Sequence, residues 1–197
     1  MFYLNIILSW ISENYYELIA AIAGILGVWL TAKQNILCWP VSLINVIFSV
    51  IVFFVAKLYA AVILQFFYFY ITIYGWYKWH KGEENKAPLA VRKLKHKQRL
   101  FIPLFLLIGT SIVGVILDFY TDASLPYLDS FTTVGGIIST YMMARKIIEH
   151  WIVWIFLDTV SVSIYIYKGL YAFSLLYFIY CLMAIYGYFQ WKKTIIN

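Results

Sequence analysis

Seven apolar runs, each about long enough to cross a bilayer, leave few folds open to this chain. They lie near residues 17–32, 36–56, 59–79, 100–120, 129–144, 148–167 and 170–191. A hydrocarbon core of roughly 30 Å takes about 17–25 helical residues, and within it every backbone N–H and C=O must be paired inside the protein. Of the 197 residues, 64 per cent are hydrophobic and only 12 per cent charged, which a water-soluble domain would have to expose as large apolar patches. The expected fold is therefore an all-α, multi-pass membrane protein with seven transmembrane helices. Lys57 and Leu58 alone part the second and third runs, and Lys168 and Gly169 the sixth and seventh, so both pairs should be tight hairpins.

Sliding the chain against itself by 112 residues superposes Trp39 on Trp151, Ser49-Val50 on Ser161-Val162, Leu58-Tyr59-Ala60 on Leu170-Tyr171-Ala172, and Tyr74-Gly75 on Tyr186-Gly187, without a gap. The match continues through Trp79 with Trp191 and Lys81 with Lys193, and back to Gly24 with Gly136 and Glu17 with Asp129. Shared apolar composition does not readily align Trp, Gly, Tyr and basic residues in register. The chain thus divides into a first three-helix repeat (17–81), a basic loop (82–99), a central linking helix (100–120) and a second three-helix repeat (129–193). The odd helix between the repeats lets both run the same way, a 3+1+3 arrangement of parallel repeats like that of SWEET transporters, whose substrate sites lie near the midplane where the repeats meet.

Basic residues set the orientation, because Lys and Arg gather in cytoplasmic loops. One side collects 13 of them, namely Lys33, the eight from Lys78 to Arg99, Arg145, Lys146, Lys192 and Lys193; the other has only Lys57 and Lys168. The N-terminus is expected outside and the C-terminus inside. The net charge of +6 then reflects topology, and nucleic acid is not an expected partner. The basic loop itself reads as a solvated connector. Met1–Ile11 lacks the basic start and cleavage site of a signal peptide and is expected to lie on the outer surface.

Within the sixth run stands Asp158, an acidic residue whose burial in a bilayer costs about 2.5–3.5 kcal/mol on insertion scales. Trp151, Trp154 and Asp158 are spaced i, i+3, i+7, placing two π-faces and one carboxylate on one side of a helix, a face suited to a cation. In the second run Ser42, Asn45 and Ser49 form a polar stripe that serves either helix packing or a ligand. Gln65, deep in the third run with Tyr68 and Thr72 at i+3 and i+7, carries an amide that needs partners in a dry interior. Trp39 and Trp151 begin helices at the same face and fit a belt or a gate, whereas Trp76, Trp79 and Trp191 read as belt anchors at helix ends. Gly24, Gly27, Gly135 and Gly136 permit close packing.

Other chemistry finds little support. Cys38 and Cys181 suggest neither disulfide nor metal site, and His80, His96 and His150 lack ligand spacing. Asp118, Asp122 and Asp129 could bind a divalent ion in a membrane enzyme, but a solvated outer face explains them better, and no phosphate loop, HExxH or nucleophile elbow is present. No catalytic residue, metal or cofactor is expected.

With these motifs in place, the chain resembles the PnuC family of bacterial vitamin transporters. The likeness rests on Leu58-Tyr59-Ala60 with Leu64-Gln65, and on Tyr74-Gly75-Trp76-Tyr77 with Trp79. It continues through Ala144-Arg145-Lys146, Glu149, Trp151-x-x-Trp154-x-x-x-Asp158 and Lys168-Gly169-Leu170-Tyr171, covering about residues 15–193. It implies a facilitator in the bacterial inner membrane that equilibrates an unphosphorylated vitamin, a cytoplasmic kinase that traps the product, and a homotrimer. It also implies that Trp151, Trp154, Asp158 and Gln65 line the site. The sequence departs from some relatives at Asp158, where they have Asn, and at Ala61, where others have a polar residue. Nicotinamide riboside is the first substrate implied and thiamine, carried by the PnuT branch, the second, since both contain a cationic aromatic ring.

Overall fold

The computed structural model describes residues 15–55, 59–83, 88–121 and 123–195. Among them are seven helices: α1 (Tyr15–Ala32), α2 (Cys38–Val55), α3 (Tyr59–Lys81), α4 (His96–Tyr120), α5 (Pro126–Ala144), α6 (His150–Tyr167) and α7 (Tyr171–Lys192). Their ends fall within about one turn of those expected. The expected outer placement of Met1–Ile11, the Lys57-Leu58 hairpin and Asp122 lie outside the described residues. At the other hairpin, Gly169 takes φ +71°, the Leu170 N–H donates to the Tyr165 carbonyl (2.8 Å) and the Gly169 N–H to that of Ile166 (3.0 Å). This is a Schellman cap, and its left-handed residue is the one that turns α6 tightly into α7.

Five of the seven helices, α1, α2, α4, α6 and α7, are long and apolar enough to cross a membrane. Among the described residues, α3 and α5 fall outside that set. Those two helices carry Gln65 and Thr72, and Ser130, Thr132, Thr133, Ser139 and Thr140, polar residues that a purely lipid-facing helix would not hold.

The helices close into a ring. α1 packs on α2, α2 on α3, α3 on α5, α5 on α6, α6 on α7, and α7 back on α1. α4 packs on α5 from outside the ring and leaves Phe105, Leu107 and Phe119 exposed. Large apolar side chains cover the outer surface of the other helices too, as a bilayer solvent requires.

Among the described residues, a buried apolar cluster lies where the α1–α2 and α5–α6 turns, the linker before α4 and the ends of α3 and α7 carry their Lys and Arg residues, here termed the basic end. It contains Trp39, Trp79, Trp151 and Trp191. Trp79 and Trp191 are therefore core residues and not the belt anchors expected; Trp76, 39% exposed, does face outward. Glycine explains the difference. A Cβ on Gly75 would collide with the Trp39 indole and one on Gly187 with that of Trp151, so each indole sinks against the neighbouring helix. There Trp39 meets Trp79 edge-on (5.3 Å) and Trp151 meets Trp191 edge-on (5.7 Å), while Trp79 and Trp191 lie 6.0 Å apart.

The linker before α4 is more than a solvated connector. Leu89 and Val91 are buried in the tryptophan cluster. The Arg92 N–H donates to the Lys146 carbonyl (3.0 Å), and the Ile148 N–H to that of Arg92 (3.0 Å). The Leu94 N–H donates to the Glu149 carboxylate (3.0 Å), which also pairs with Arg99 at 3.4 Å. Two apolar residues in a basic stretch are the local reason: burying Leu89 and Val91 pulls the backbone onto the protein, where its polar groups must find partners.

Candidate functional site

A cavity of about 530 Å³ lies inside the helix ring, within the range of roughly 300–1,000 Å³ usual for small-molecule sites. It reaches from Asp129 in the first turn of α5 to Trp151 in the first turn of α6, so it traverses most of the bundle and stops on the tryptophan cluster. α6 supplies one wall through Trp151, Trp154, Asp158, Ser161 and Tyr165, a stripe at three- and four-residue spacing.

Of the residues singled out in the sequence, Trp151, Trp154, Asp158, Gln65, Asn45, Tyr68 and Ser42 all line this cavity. Trp39 does not. Its indole is wholly buried between Gly75 and Trp79, below the floor that its counterpart Trp151 provides. Asp158 is 3% exposed, yet no hydrogen bond or ion pair reaches its carboxylate among the described residues. Burying a charge without a partner is expensive, so the cavity is prepared for a group that supplies one.

The glycines on α1 and α5 make space for side chains rather than for close backbones. A Cβ on Gly136 would strike the Tyr68 hydroxyl, and one on Gly24 the Tyr180 hydroxyl. Trp154 also packs at Gly136. Asn45 donates its amide to the Ala20 carbonyl (2.7 Å), and Ser42 sits against Gly27, so the polar stripe on α2 binds α1 while also lining the cavity. Gln65 has no hydrogen bond to a described residue and keeps its amide for the cavity.

Sequence reasoning missed Tyr180, which lines the cavity together with Asp158. The signal was available: Tyr180 lies 112 residues after Tyr68, and each meets the glycine on the first helix of the other half. Tyr177, in edge contact with Tyr180 (5.9 Å) and stacked on Tyr165 (5.1 Å), was likewise missed within an aromatic-rich run. At the other end of the cavity Asp129 pairs with Lys168 at 3.4 Å, and no group of three potential metal ligands occurs among the described residues.

Known proteins place this architecture. The family model described as nicotinamide mononucleotide transporter matches residues 14–193. The nicotinamide riboside transporter PnuC of Escherichia coli (strain K12) is 32% identical, over 95% of this chain and 87% of that protein. The riboflavin/roseoflavin transporter RibM of Streptomyces davaonensis is 28% identical, over 89% of this chain and 83% of that protein. A crystal structure of the vitamin B3 transporter PnuC superposes with a TM-score of 0.76 at 25% identity, covering 96% of this chain and 86% of that one.

Proposed function

The chain belongs to the nicotinamide mononucleotide transporter family, and from that premise we propose that it carries nicotinamide riboside across the bacterial inner membrane by facilitated diffusion. The observation that carries this reading is the unpaired Asp158 carboxylate beside the Trp154 indole in an aromatic-lined cavity. A positive pyridinium ring answers both: the carboxylate offsets its charge, and indole and phenol faces cover it through cation–π contacts. Asn45, Gln65, Tyr68 and Ser42 line the same space and offer hydrogen bonds to the sugar, and Trp151 closes its floor.

The same carboxylate argues against a phosphorylated vitamin, whose negative group would meet Asp158 in a site shielded from water. It also argues against riboflavin, whose neutral ring system would leave the charge unpaired despite the likeness to RibM. Thiamine is cationic and remains the closest competitor. Binding to the folded state alone raises the melting temperature, so titration of the purified protein with nicotinamide riboside, thiamine, riboflavin and their phosphates decides among them. Nicotinamide riboside should stabilise the protein at the lowest concentration. Stabilisation by a phosphate ester at the same concentration, or by riboflavin alone, would refute the proposal.

The finer architecture belongs to the same reading. A 3+1+3 pair of parallel repeats, SWEET-like, is supported by the ring of contacts, in which α3 meets α5 as α7 meets α1, and by the reciprocal Tyr68–Gly136 and Tyr180–Gly24 contacts. The basic end is cytoplasmic, which puts the N-terminus outside. A cytoplasmic kinase traps the vitamin, and three copies assemble, as the resemblance implies.

A further inference from the structure

One turn beyond the cavity, towards the basic end, α1 and α5 finish in the same way. The Asn35 N–H donates to the Leu30 carbonyl and the Gln34 N–H to that of Thr31; the Ile147 N–H donates to the Met142 carbonyl and the Lys146 N–H to that of Met143. Both ends are Schellman caps, and the left-handed positions are Gln34 (φ 54°) and Lys146 (φ 50°). Glycine takes that conformation freely, whereas a side chain there is strained. Both side chains are nonetheless used, and they are used on each other: the Lys146 ammonium donates to the Gln34 amide oxygen at 3.1 Å. Residues 112 apart that touch mark the place where the two halves meet.

Lys146 is 8% exposed, with its ammonium 4.5 Å above the Trp79 ring, and no carboxylate lies in ion-pair distance among the described residues. Burial lowers its pKa from the usual lysine value, the Cys38 thiol opposing this; the Trp79 face and the Gln34 oxygen favour the charged form. Its backbone is fixed as well, because the Lys146 carbonyl accepts from the Arg92 N–H. The cavity lining ends at Thr31 on α1 and Met143 on α5, three residues short of this pair. A fixed positive charge therefore stands across the line from cavity to basic end, just past the four indoles.

Such a charge solves a problem the binding site creates. An unpaired carboxylate in a polar cavity draws in any small cation, and a path that opens to the cytoplasm would let such ions follow the vitamin. We propose that Lys146 is the electrostatic seal of the cytoplasmic exit, a specificity-determining residue that turns back inorganic cations while the halves are closed. Pores that must exclude ions use a fixed positive barrier in the same physical way. The inference rests on the reading of the cavity as a transport path.

Potassium leak from proteoliposomes holding the full chain, followed with a potassium-sensitive dye, tests it. The wild type should be tight. Lys146→Gln, which leaves an amide for Gln34 to meet, should leak about 15-fold faster, the factor expected for one charge acting over roughly 10 Å at an effective dielectric constant of about 20. Lys146→Arg should stay tight, and so should Gln34→Gly, which loses the contact but keeps the charge and relaxes the cap. A Lys146→Gln protein as tight as wild type, or a leak as large from Gln34→Gly, would overturn the seal. Should Lys146→Gln not fold, Lys146→Met provides the same neutral comparison. Calorimetry with nicotinamide riboside on the same preparations judges the vitamin reading separately: a wild type that binds nothing removes that reading, while the potassium comparison still decides whether Lys146 seals.

Discussion

Replacing Asp158 by Asn removes a charge but almost no volume, so the helix ring should survive while the cationic vitamin binds more weakly. Trp154→Ala should weaken binding further, since it removes a cation–π contact of roughly 0.5–2 kcal/mol together with apolar contact area. Titration calorimetry on folded protein checks both, and equal affinities for wild type and the two variants would make the pair structural. At this scale the site was legible where a polar residue interrupts an apolar run. Asp158, Gln65 and Asn45 announce themselves because a bilayer penalises them. Tyr180 does not, being one of 18 tyrosines, and only its position relative to Tyr68 distinguishes it. Trp39 misled for the opposite reason. Its counterpart Trp151 floors the cavity, but a fully buried indole and a lining indole leave the same letter in the sequence.

Helix positions were legible from run length alone, since the bilayer fixes it, and the hairpin at Gly169 from a single glycine between two runs. What each helix faces was less so. Trp79 and Trp191 sit at helix ends, where lipid belts are usual, and nothing local says that Gly75 and Gly187 open slots that draw the indoles of α2 and α6 inward. These slots give a paired prediction. Gly75→Ala should displace Trp39 and destabilise the protein by about 1–3 kcal/mol, the usual range for overpacking, without changing vitamin affinity. Gly187→Ala should cost about as much and also weaken binding, because the indole it displaces is the cavity floor. Melting temperature and calorimetry read the two effects apart, and identical affinities for both variants would deny Trp151 a part in the site. The linker was read as a solvated loop because its charges outnumber Leu89 and Val91, which the structure nevertheless buries.

For the whole molecule, the asymmetry of 13 basic residues against two predicts a cytoplasmic C-terminus, and a reporter fused there that is active only outside the cytoplasm would reverse the orientation. Uptake should run only downhill, since Asp158 is the carboxylate that stands deep in a membrane-spanning run, and accumulation driven by a pH gradient alone would contradict this. The Asp158 carboxylate also determines where the membrane potential acts on the cycle. With a monovalent cation in place, Asp158 and its ligand sum to zero, so the loaded carrier reorients without moving net charge. The charge carried per turnover must then be matched by the empty carrier returning with its carboxylate bare, a step on which a potential of 100 mV exerts up to about 2.3 kcal/mol per charge. Exchange of labelled for unlabelled vitamin, which never uses the empty return, should be insensitive to voltage, and net uptake should be electrogenic and voltage-dependent.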